Sequence, residues 1–100
     1  MQKKRLHCGI LYAEIYNPLQ MTWDLIGGVS NGRMDHTATL LHDGRVLIVG
    51  GWNNGYLNSS EIYDPNSGTW RQTGNLSVRR ASHTATLLND GRVLVVGGEG

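Results

Sequence analysis

Two histidines, His36 and His83, open identical hexapeptides, HTATLL, 47 positions apart. Histidine is the commonest metal ligand in proteins, and two of them at matching places raise the question of a shared metal. The second candidate chemistry is a lone thiol, Cys8, which cannot form an internal disulfide or a cysteine-based zinc knuckle. No residue near Cys8 in sequence would activate it. The chain has no glycine-rich phosphate loop, no Gly-x-Ser-x-Gly elbow and no pair of carboxylates standing outside the repeated text. His36 follows Asp35, but His83 follows Ser82, so no His–carboxylate pair is repeated. Residues that recur in step share a job, and for these histidines the simplest job is structural, such as a hydrogen bond to backbone. The residues therefore predict no metal, no cofactor and no catalytic group.

The elements that must carry these histidines are themselves duplicated. Residues 13–53 laid over 60–100 give 23 identities in 41 positions without a gap. A period of this size marks an architecture in which one supersecondary unit stacks on copies of itself. Thr37–Leu41 alternates small polar and apolar residues, His42-Asp43-Gly44 predicts a tight hairpin turn, and Val46–Val49 is apolar on both faces and needs covering on both sides. Gly50-Gly51 then allows a bend or a close backbone approach. A third strand, Glu61–Tyr63, ends at the turn formers Asp64-Pro65-Asn66-Ser67-Gly68, and a fourth runs over Thr69–Thr73. No segment has a helical period. The chain reads as all-β.

Gly50-Gly51, Tyr63 and Trp70, with the earlier Tyr16 and Trp23 and the final Gly97-Gly98, resemble the kelch repeat. The resemblance spans residues 13–100 and implies four-stranded antiparallel blades of a β-propeller, in the galactose-oxidase-like superfamily. The organisation expected is a non-repeat leader (1–12), the two outer strands of a blade with a connecting loop (13–35), a complete kelch-type blade with its loop (36–82), and the two inner strands of the next (83–100). Both ends then cut through a blade, which predicts a propeller fragment. The leftover hairpins are complementary, so a self-assembling ring of several chains, with a structural role, is the alternative. The superfamily also implies a second alternative, a fragment of a copper radical oxidase that uses a tyrosine crosslinked to a cysteine. The spacing of Cys8, the tyrosines and the histidines transfers none of those positions. Tyr16 and Tyr63 are repeat core aromatics.

The net charge of +1 argues against nucleic acid as a partner, and no apolar run approaches the roughly 20 residues of a membrane span. Lys3-Lys4-Arg5 is followed by too short an apolar stretch for a secretory leader, so no targeting signal is read. Alternating strands send the turns to one end and the long loops to the other. Residues 36–51 match 83–98 at 14 of 16 positions, whereas 28–35 match 75–82 at two of eight. Scaffold is copied and loops are not, as expected of a recognition face on a rigid frame. Arg33, Trp52, Asn53, Asn54, Tyr56, Asn58, Arg79 and Arg80 are the residues expected to touch a protein or glycan partner, because Arg, Trp and Tyr dominate interface energetics. Arg33 and Arg80 share one repeat position, which also fits a packing role. Asn58-Ser59-Ser60 and Asn75-Leu76-Ser77 fit the glycosylation sequon, and Arg79-Arg80-Ala81-Ser82 resembles a basophilic kinase site.

Overall fold

The computed structural model describes residues 12–28 and 32–100. Eight strands follow one another: β1 (Tyr12–Asn17), β2 (Thr22–Gly28), β3 (Thr37–Leu40), β4 (Val46–Val49), β5 (Ser60–Asp64), β6 (Thr69–Gln72), β7 (Thr84–Leu87) and β8 (Val93–Val96). They form a β1-β2 hairpin, a four-stranded sheet in the order β3-β4-β5-β6, and a β7-β8 hairpin, all antiparallel. The leader expected over 1–12 and Cys8 lie outside the described residues, except that Tyr12 opens β1.

Local chemistry explains the connections. Between β3 and β4 the amide of Gly44 donates to the carbonyl of Leu41, and that of Leu41 to Arg45. Gly44 takes φ 91°, so a three-residue loop with glycine in the positive-φ place closes the hairpin. Asp43 holds the far side, accepting from the Arg45 amide at 3.1 Å and the Arg45 Nε at 2.8 Å. The Arg45 amide first, and its guanidinium next, hold the Asp43 carboxyl below its ordinary pKa. Asp90 and Arg92 repeat both bonds in the second hairpin. In the β5–β6 turn, Asp64 Oδ1 accepts from the Asn66 amide at 2.9 Å and Gly68 donates to the Asp64 carbonyl at 2.8 Å.

The core lies in the four-stranded sheet, where Ile48, Val49 and Tyr63 are buried. Tyr63 packs against Trp70, its cross-strand partner, with tilted rings and centroids 4.9 Å apart; Tyr16 and Trp23 repeat the pair at 5.2 Å. The surroundings differ. Tyr63 is 7% exposed beneath β4, while Tyr16 is 46% exposed because no inner hairpin covers it among the described residues. Trp70 also donates from Nε1 to the Gly27 carbonyl at 2.7 Å, tying β6 to β2.

The glycine doublet marks where one sheet meets the next. The Gly51 amide donates to the Arg80 carbonyl at 2.9 Å, and the Ser82 amide to the Asp35 carbonyl at 2.8 Å. A methyl group on Gly50 would lie 2.7 Å from the Arg80 oxygen and 2.8 Å from the His83 ring, and Gly50 sits at φ 64°. Nothing lies within 4 Å of the corresponding position at Gly74, whose φ is ordinary. Gly50→Ala therefore lowers the midpoint of urea unfolding, costing more than about 1 kcal/mol, whereas Gly74→Ala leaves it unchanged or raises it by about 0.4–1 kcal/mol.

Candidate functional site

The long loop joining β4 to β5 runs from Gly50 to Ser59, and both of its ends converge on Arg33. Arg33 Nη1 donates to the Gly50 carbonyl at 2.8 Å and to the Ser59 carbonyl at 3.0 Å. Nη2 reaches Ser59 Oγ and Glu61 Oε2, each at 3.1 Å. The ion pair is sealed, with the side chains 2% and 1% exposed. Burial lowers the pKa of Arg33, and the Glu61 carboxylate opposes that shift. A guanidinium suits this place because its planar fork can serve two carbonyls and a carboxylate together. Arg33, expected among the partner-contacting residues, thus closes the loop. The guanidinium is out of solvent.

The remaining loop residues divide. Trp52 is half-buried and its backbone exchanges two hydrogen bonds with Met34, at 3.1 and 2.8 Å. Asn53 Nδ2 donates to the Gly32 carbonyl at 2.8 Å. The Asn58 carbonyl accepts from Leu76 at 2.7 Å, and Leu57 from Arg80 at 3.1 Å. Tyr56 Oη donates to Glu99 Oε1 at 3.0 Å, a bond that, with the carboxylate's charge, raises the phenol's pKa. Arg80 Nη1 donates to the Gly97 carbonyl at 3.2 Å, as Arg33 does to Gly50. Asn54, at φ 56°, and Arg79 are exposed, together with Val78 and Met34. The three loops at this end are therefore braced to one another by backbone bonds, and their exposed side chains are fewer than expected.

His83 is buried, with Nε2 3.0 Å from Thr37 Oγ1 on the neighbouring sheet. Burial lowers its pKa, the Val49 backbone opposes this, and the charge of Arg80 lowers it further. Partial burial of its ring likewise lowers His36, helped by Arg33 and by His83 and opposed by Asp35. His83 joins neighbouring sheets through the Thr37 side-chain hydroxyl, beside its backbone bond with Val49. Asp35 and Ser82 share a left-handed backbone, at φ 57° each, so what recurs just before the histidine is a bend. Among the described residues no three His, Cys, Asp or Glu side chains gather closely enough to hold a metal.

Glu61 was legible as a strand residue but not as the partner of Arg33; Ser59 was read only as part of a sequon. Breaking a buried pair leaves its survivor uncompensated, at a cost of about 3–5 kcal/mol. Glu61→Ala and Arg33→Ala should each lose stability of that order in urea unfolding. The Arg33→Met/Glu61→Leu double variant should recover only part of it, because the Gly50 and Ser59 carbonyls lose their donor. The histidines set a pH dependence. A folded pKa below the unfolded value, about 6.5, means that the unfolded chain binds more protons at mildly acid pH. Stability contributed by neutral His83 and His36 is complete above that value and is lost as pH falls through the folded pKa. Urea midpoints at a series of pH values should show the decline, and His83→Gln should flatten it to the share left by His36.

None of the curated proteins matches the chain. A family model described as the Kelch motif matches residues 33–77, from the clasping Arg33 through the four-stranded sheet and into the following loop. The chain therefore carries a Kelch motif at residues 33–77 within a small all-β repeat fold, a four-stranded antiparallel sheet plus hairpins consistent with a kelch blade.

Proposed function

We propose that the chain is part of a larger kelch-type β-propeller and serves as a non-catalytic scaffold that presents its long-loop end to a protein or glycan. The observation carrying this reading is the bracing of the loops. Residues 52–58 are bonded on one side to Gly32 and Met34 and on the other to Leu76 and Arg80. A braced loop loses little conformational entropy on binding, so its exposed side chains contribute more of their interaction energy. The contact residues are Asn54 and Arg79, with Val78 and Met34 supplying apolar area and the half-buried Trp52, Tyr56 and Asn58 forming the floor. Arg80 supports this surface from behind through its bond to Gly97.

Binding is best sought with the labelled chain on glycan and peptide arrays, followed by titration of any ligand found. Asn54→Ala and Arg79→Ala should each weaken that ligand by about tenfold, or 1.4 kcal/mol, without moving the unfolding midpoint. The Asp43→Ala/Arg45→Ala hairpin variant at the opposite end should bind normally. A ligand that loses affinity only with the hairpin variant would place recognition at the wrong end and defeat the reading.

A further inference from the structure

Among the described residues, Asp43-Gly44, Asn54-Gly55 and Asp90-Gly91 each place a side-chain carbonyl carbon next to a glycine amide. Glycine has no Cβ, so its nitrogen can approach that carbon and close an imide ring. The fold treats these dipeptides differently. In the two hairpin turns the glycine amide is engaged, Gly44 with the Leu41 carbonyl at 3.1 Å and Gly91 with that of Leu88 at 3.0 Å. Their carboxylates are held as well, Asp43 by the Arg45 amide and Nε and Asp90 by the same groups of Arg92. An ionised carboxylate is also a poor electrophile.

Asn54-Gly55 has none of these restraints. Asn54 is exposed at the tip of its loop, at φ 56°, and its carboxamide bonds to no described group. The Gly55 amide donates to none either, although the Gly55 carbonyl accepts from Asn53 at 2.9 Å and Trp52 bridges to Tyr56 across the tip. A Cβ on Gly55 would meet nothing within 4 Å, so the space around this peptide is open. The neighbouring asparagines are less suited. Asn53 has its Nδ2 on the Gly32 carbonyl, and Asn58 and Asn66 precede serines, whose Cβ crowds the approach. Asn31-Gly32 repeats the dipeptide, with Asn31 outside the described residues.

We infer that Asn54 is a site of spontaneous deamidation in the folded protein, with water as the co-reactant. The Gly55 nitrogen attacks Cγ of Asn54, and the new N–Cγ bond closes a succinimide. The Cγ–Nδ2 bond breaks, and Nδ2 leaves as ammonia with the proton given up by the Gly55 amide. Water then adds to one of the two ring carbonyls. Opening at Cγ gives aspartate; opening at the Asn54 backbone carbonyl gives isoaspartate, in which the chain runs on through the former side chain. Neither step is a redox step. Both products set a carboxylate at the tip, and isoaspartate adds a methylene to the backbone just where Asn53 and Gly55 are bonded. The effect on binding rests on the contact surface proposed above, to which Asn54 belongs; the covalent change does not.

The full chain should be held folded at mildly alkaline pH beside a sample unfolded in urea, and both cut after arginine and mapped by mass. That cleavage puts Asn54 in the segment 46–71, apart from Asn31, Asp43 and Asp90. In the folded protein this segment should gain about 1 Da at Asn54, as separate aspartate and isoaspartate forms, at no less than about a tenth of the unfolded rate. Asp43 and Asp90 should form no isoaspartate over the same period, and Asn54→Gln, which would need a larger ring, should remove the gain. The mass reads the chemistry alone, whatever the loop end binds. Conversion more than about tenfold slower in the folded chain than in urea would overturn the inference. So would a gain that maps to Asn53, Asn58 or Asn66, or isoaspartate at Asp43 or Asp90 as early as at Asn54.

Discussion

The fold of the central sheet depends on one guanidinium. Arg33 enters from the segment before β3 and ties together the carbonyls at both ends of the β4–β5 connection, with Glu61 balancing its charge. A loop of that length is entropically costly to close, and an irregular backbone near a core needs its polar groups satisfied. One side chain answers both needs. The pair is expensive to desolvate, so its return lies less in net stability than in fixing which backbone groups meet. The glycine doublet works beside it, leaving room for the next connection to cross at Arg80.

The consequence is a joint rather than a hydrophobic seam. Few large apolar side chains are fully buried, and neighbouring sheets are fastened by backbone bonds such as Gly51 to Arg80 and Ser82 to Asp35, by Trp70 to Gly27, and by His83 to Thr37. Such a joint is directional. It fixes the orientation of each sheet against the last, which is what a repeated architecture requires.

Periodicity made most of the strands legible. The span of β4 matched the apolar run Val46–Val49, and β3, β5 and β6 differed by a residue or so at an end, where alternation gives way to turn chemistry. The Gly44 and Gly68 turns were also readable, because each rests on contacts within a few residues. The site was less so. Loop variability marked Arg33 as outward-facing when its partners, Ser59 and Glu61, were 26 and 28 residues away. The signal that pointed correctly was its recurrence as Arg80, since a residue repeated inside an otherwise divergent loop answers to the frame. Asp35 and Ser82 hid their kinship because they share a backbone angle and not a side chain.

Amide hydrogen exchange of the full chain, wild type against Arg33→Lys, tests the role of the clasp most directly. Lysine keeps the charge near Glu61 but cannot span both carbonyls. In the wild type the amides of Gly51, Trp52, Leu57 and Arg80 should be as slow as those of β4, and in the variant they should exchange faster by at least about tenfold while β3 and β4 stay protected. Loop amides that exchange freely in the wild type, or at the same rate in both proteins, would contradict the account.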